Sequence, residues 1–118
     1  MPPRYTILHN PRCGKSRETL KLLTDAGVTP AIVEYLKTPP TADELDAICT
    51  KLGQPPQALV RYKEAVAVEL KLHPDDPRSR ADWLQLIVEH PILLERPIVI
   101  AGKRAALGRP PENVRALL

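Results

Sequence analysis

The sequence predicts an α/β fold in which a βαβ unit and a ββα unit share one mixed sheet, with a helical insert between them. Three observations point there. The apolar run Tyr5-Thr6-Ile7-Leu8 leads through a tight loop into an amphipathic stretch ending at Ala26-Gly27, and a β-branched run, Ala31-Ile32-Val33-Glu34-Tyr35, follows. Near the other end, Pro97-Ile98-Val99-Ile100-Ala101 and Arg104-Ala105-Ala106-Leu107 flank Gly102-Lys103, a two-residue turn with glycine first. Between these halves, residues of about 38–95 carry helical patterns.

Taken in order, the first strand is about Tyr5 to His9. The first helix runs from about Gly14 to Ala26, with Leu20 and Leu23 one turn apart and Gly27 as its stop. Ala31–Tyr35 is the second strand, parallel to the first through a right-handed crossover. Thr41-Ala42-Asp43-Glu44 is a capping box, followed by Leu45, Ile48, Cys49 and Leu52 at i, i+3, i+4, i+7 and by Gly53. A short helix is expected at Pro56–Val60 and a weaker one over roughly Lys63–Leu72. Ser79-Arg80-Ala81-Asp82 starts another, with Leu84, Ile87 and Val88 inward and Trp83 partly buried. Pro110-Pro111 opens a last short helix. βαβ plus ββα is the thioredoxin-like arrangement, and 118 residues suit a single domain, 1–118, carrying its insert at about 38–95.

Composition narrows the function classes. Phe is absent and aromatics make up 3%, so the core is aliphatic. A net charge of +3 suits an anionic ligand. The chain has no aromatic RNA-binding motif, no zinc spacing and no long basic run, which argues against nucleic acid. Two cysteines are too few for a disulfide scaffold. Met1-Pro2-Pro3-Arg4 lacks a leader-like apolar region, and no run is long enough to span a membrane. A reducing cytoplasm is the expected compartment.

Cys13 lies between strand and helix, in His9-Asn10-Pro11-Arg12-Cys13-Gly14-Lys15-Ser16-Arg17. Unpaired backbone N–H groups and the positive end of the helix dipole favour its thiolate there, and Arg12, Lys15 and Arg17 add charge. Ser16 stands where a C-x-x-C pair has its second cysteine, so any disulfide made by this motif involves another molecule. Cys49, on the apolar stripe of its helix, reads as a packed thiol. His9 is either a charge partner of the thiol or a strand-end polar residue; His73 and His90 read as surface residues. Gly14-Lys15-Ser16 lacks the earlier glycine of a P-loop, and Thr19 stands where a C-x5-R phosphatase loop needs arginine.

The hairpin turn sets a register. Ala101 pairs with Arg104, Ile100 with Ala105 and Ile98 with Leu107, so Arg96 falls opposite Arg109. Like charges that close repel. Either an anion lies between the two guanidinium groups, whose planar forks suit oxyanions, or both turn to solvent. Arg61, after Ala58-Leu59-Val60, reads locally as an ordinary surface arginine.

His9 to Arg17, together with Arg96-Pro97-Ile98-Val99, Gly108-Arg109-Pro110, Tyr35-Leu36, Pro39-Pro40, Ala58-Leu59-Val60-Arg61 and His90-Pro91-Ile92-Leu93, resembles the glutaredoxin-dependent arsenate reductases, the ArsC family, over nearly the whole chain. It looks closest to the short YfgD-like branch, since the chain ends at Leu118 where dedicated arsenic-detoxifying members continue into a tail. The resemblance implies a thioredoxin-like fold, Cys13 as catalytic nucleophile, His9 and Ser16 as thiol-supporting residues, and Arg61, Arg96 and Arg109 as oxyanion-binding. It implies arsenate or a similar oxyanion as substrate and no tightly bound cofactor or metal. Glutathione is the implied co-substrate and glutaredoxin the implied partner. Two alternatives stand beside it: a monothiol glutathione-linked oxidoreductase of another substrate, and an Spx-like transcriptional regulator. The missing second cysteine argues against the redox-switch form of the latter.

Overall fold

In a computed structural model, residues 4–118 are described; the leader-free reading of Met1-Pro2-Pro3 lies outside them. The chain folds as two compact units, one made of the residues up to Thr38 together with Arg96–Leu118, the other of Pro39–Glu95.

The first unit is built on a four-stranded sheet. β1 (Tyr5–His9), β2 (Ala31–Glu34), β3 (Ile98–Ala101) and β4 (Arg104–Leu107) lie in the order β2-β1-β3-β4. β1 runs parallel to β2 and antiparallel to β3, so the sheet is mixed. The βα crossover is α1, Gly14–Asp25. The hairpin has the expected register, with Ala101 opposite Arg104, Ile100 opposite Ala105 and Ile98 opposite Leu107. Gly102 supplies the positive φ of 62° that the first position of a type II′ turn requires. A 3₁₀ stretch, Pro111–Leu117, closes the unit. Ile7, Leu23, Val99, Ala101, Val114 and Leu117 form an aliphatic core cluster, and Tyr35 is fully buried in the same unit. The Tyr5 hydroxyl donates to the Leu117 carbonyl at 2.8 Å and ties the last turn to the first strand.

The second unit holds α2 (Ala42–Leu52), α3 (Ala65–Glu69) and α4 (Arg80–Glu89), with 3₁₀ turns at Pro56–Leu59 and Pro91–Leu93. The capping box at α2 is present in both directions: Glu44 N–H donates to Thr41 Oγ1 and Thr41 N–H to Glu44 Oε1, each at 3.1 Å. Two expectations need correction. α3 covers only five of the residues expected over Lys63–Leu72, because the chain leaves the helix in a Schellman turn. Leu72 N–H donates to the Ala67 carbonyl and Lys71 N–H to that of Val68, with Lys71 at a φ of 55°. Trp83 is fully buried rather than partly so, with Tyr62 edge-on to its ring and the Arg78 guanidinium over it at 5.7 Å. Among the described residues no helix is long and apolar enough to cross a membrane.

Candidate active site

The loop from β1 to α1 is a turn locked by its own side chains. Cys13 N–H donates to the Asn10 carbonyl at 2.9 Å, which makes Pro11 and Arg12 the central pair. Asn10 Oδ1 accepts from Arg12 N–H at 3.0 Å, and Arg17 Nη1 donates to the Pro11 carbonyl at 2.9 Å. Cys13 therefore sits at the N-cap of α1, with extended backbone angles and a half-buried side chain. The cap position is what exposes its sulfur to the free N–H groups of the first turn.

Opposing effects act on that thiol. Partial burial pushes its pKa up, but the Ser16 backbone N–H, a hydrogen bond from Arg96, and the charges of Arg109 and Arg96 outweigh it, and the net value lies below that of an ordinary thiol. The Ser16 N–H polarises the sulfur without closing a formal cap bond. Arg109 Nη2 lies 3.5 Å from Cys13 Sγ, while Arg109 Nε donates to the Arg96 carbonyl at 2.6 Å. The two arginines that the register sets opposite one another thus converge on one sulfur. The Arg96 and Arg109 segments are held to α1 by a tight joint: Gly108 N–H donates to the Pro97 carbonyl at 2.9 Å, and a Cβ on Gly108 would lie 2.6 Å from Thr19 Oγ1 and 2.8 Å from Pro97 Cγ.

His9 and Ser16 meet beneath the loop. His9 Nδ1 and Ser16 Oγ are 2.6 Å apart, and Asn10 N–H donates to the same Oγ at 3.0 Å. Burial lowers the His9 pKa, reinforced by Arg17 and opposed by Glu34, its cross-strand neighbour on β2. The side-chain contact of His9 is with Ser16, in the first turn of α1.

Arg61 belongs to the second unit and follows Val60, which bridges to Leu94; its own N–H donates to the Leu93 carbonyl at 2.7 Å. Its Nε donates to Glu64 Oε1 at 3.1 Å and its Nη1 to Glu95 Oε2 at 3.3 Å, and the side chain is three-quarters buried. It is therefore not the ordinary surface arginine of the local reading. Sequence reasoning missed both carboxylates; Glu64, three residues on, was visible as a spacing, but Glu95 was not. It also missed Asn10, whose place before proline at a strand end is the signal for a side-chain-locked turn. Cys49 is fully buried, and burial pushes its thiol pKa up, assisted by Asp46 and opposed by Arg80. Among the described residues no group of His, Cys, Asp or Glu side chains could hold a metal.

The comparisons with known proteins agree with one another. The protein is 47% identical to an arsenate reductase of Neisseria meningitidis, over 98% of this chain and 99% of that one. It is 46% identical to YfgD of Escherichia coli, an uncharacterised protein, over 97% and 96% of the two chains. Among solved structures, the arsenate reductase from Vibrio cholerae superposes with a TM-score of 0.92 at 42% identity, covering 98% of each chain. The family model described as "ArsC family" matches residues 8–117. A cysteine at the N-cap of α1, two arginines converging on it and a match along nearly the full length have one reading: the chain belongs to the ArsC family.

Proposed function

We propose that the protein is an arsenate reductase in which Cys13 is the nucleophile. The observation that carries this reading is the convergence of Arg96 and Arg109 on the Cys13 sulfur. Two planar guanidinium forks beside one thiolate suit an oxyanion, whose oxygens they can bind in pairs. Arg96 and Arg109 bind the arsenate oxygens and stabilise the charge that develops as sulfur attacks arsenic. Arg61 is assigned with them by the resemblance. Ser16 polarises the thiolate, and His9 holds Ser16.

The chemistry balances with one protein thiol. Cys13 forms a sulfur–arsenic bond, and an arsenate oxygen leaves as water. Glutathione displaces a second oxygen, again as water. A glutaredoxin thiolate then attacks the glutathione sulfur. A glutaredoxin–glutathione disulfide forms, the bond between the glutathione sulfur and arsenic breaks with its electron pair left on arsenic, which becomes As(III), and hydrolysis of the remaining Cys13 sulfur–arsenic bond frees arsenite and Cys13. Glutathione-linked chemistry implies a reducing, cytoplasmic setting. The Pro39–Glu95 unit is taken as the insert of a single domain.

The test is NADPH-coupled arsenate reduction with glutathione, glutathione reductase and glutaredoxin present. Turnover in the wild type and none in folded Cys13→Ser is expected. No arsenate-dependent oxidation of NADPH by the wild type would refute the reading.

A further inference from the structure

Five cations surround the Cys13 loop, and the site accounts for three. Arg96 and Arg109 act on the sulfur, and Arg17 is spent on the Pro11 carbonyl. Arg12 and Lys15 remain. Arg12 directly precedes the nucleophile, at the third position of the Asn10–Cys13 turn, and is exposed. Its backbone is fixed by Asn10 Oδ1, by the ring of Pro11 and by the Arg17 clamp, so the side chain leaves from a rigid base. Among the described residues its guanidinium has no hydrogen bond or ion pair. Lys15, two residues past the thiol, reaches only Glu18, at 3.9 Å with both side chains at least half exposed. An exposed pair of that length holds its lysine weakly.

We propose that Arg12, assisted by Lys15, recognises the incoming thiol co-substrate and selects an anionic one: a thiol peptide bearing free carboxylates. The proposal rests on the reading of Cys13 as a nucleophile that exchanges with an external thiol. The arginine pair serves the oxyanion, whereas the second reactant reaches the half-exposed sulfur from solvent, and Arg12 and Lys15 are exposed cations that flank Cys13 along the chain. A guanidinium fork pairs with a carboxylate through two parallel hydrogen bonds, and exposed charge of this kind raises the encounter rate. A neutral thiol gains nothing from the rim, and a cationic one is repelled.

Thiol–disulfide exchange tests this without arsenate. The Cys13 thiolate attacks one sulfur of a small disulfide, a mixed disulfide forms on Cys13, and the other half leaves as thiolate. Three reagents are compared on the intact protein: oxidised glutathione (anionic), bis(2-hydroxyethyl) disulfide (neutral) and cystamine (cationic). The neutral reagent corrects for any change in the thiol itself. In Arg12→Glu and Lys15→Glu, the rate with oxidised glutathione relative to the neutral disulfide is expected to fall about tenfold at low salt. The relative rate with cystamine should rise, and both differences should shrink as ionic strength increases. In the arsenate assay, the KM for glutathione should rise while that for arsenate holds. Equal effects on all three reagents, or an unchanged ratio, overturn the assignment of Arg12. Because the exchange assay contains no arsenate, that outcome is separate from a failure of arsenate reduction.

Discussion

At Cys13 a thiol is made acidic despite partial burial, because the Ser16 N–H and two guanidinium groups outweigh desolvation. Its rate of alkylation against pH should show a midpoint below the free-thiol value of about 8.5. The sign for stability follows. A folded-state pKa below the unfolded one contributes stability that is fully present above the unfolded value and lost as pH falls through the folded value. Cys13→Ser should therefore lower the Tm more at high pH than at pH 6. Cys49 has the opposite environment, and burial keeps its thiol protonated. It should stay unalkylated in the native protein, and Cys49→Ser should keep turnover while losing about 1–3 kcal/mol to denaturant if the hydroxyl is left unpaired. Alkylation of native Cys49 at the rate of Cys13 would contradict both assignments. At this scale the sequence was informative about Cys13, whose place before a helix is a local property. It was uninformative about His9, whose role depends on what folds beneath it, and about Arg61, whose Glu95 partner lies 34 residues away.

Among the elements, the hairpin was the most legible, because two turn residues determine every pair above them. Arg96 and Arg109 follow from counting outward from Gly102. Arsenate, phosphate or sulfate should raise the Tm of the wild type at matched ionic strength, since a ligand bound only by the native state stabilises it. Arg96→Ala and Arg109→Ala should weaken that rise, and lysine at either position should restore part of it. Equal shifts in all variants would remove the pair from the anion site. The end of α3 was illegible for a definite reason: the left-handed position of its Schellman turn carries Lys71, not the glycine that marks such stops. A side chain there costs about 1 kcal/mol, so Lys71→Gly should raise stability by that order in a denaturant titration. A loss of stability would mean that Lys71 contributes something beyond its backbone.

For the molecule as a whole, the mixed sheet followed from two βαβ-type and hairpin signatures at opposite ends of the sequence, and the helical middle from its caps and stripes. The second compact unit, Pro39–Glu95, has nearly the limits read for the insert, about 38–95, where the helical patterns begin and end; that it forms a compact unit of its own is a property of contact distribution, which composition does not encode. The absence of Phe pointed to an aliphatic core, and most buried side chains are aliphatic, but the two largest fully buried ones, Trp83 and Tyr35, are aromatic and that argument missed both.

The burial of Trp83 has an optical consequence. It is the sole tryptophan, it lies in the Pro39–Glu95 unit, and Cys13 lies in the other. Intrinsic fluorescence excited at the red edge therefore reports on one unit, and a dye coupled to Cys13 on the other. The chain carries a separate probe in each half without any substitution. If the halves melt together, the two signals trace one curve against denaturant; if they melt apart, the midpoints separate.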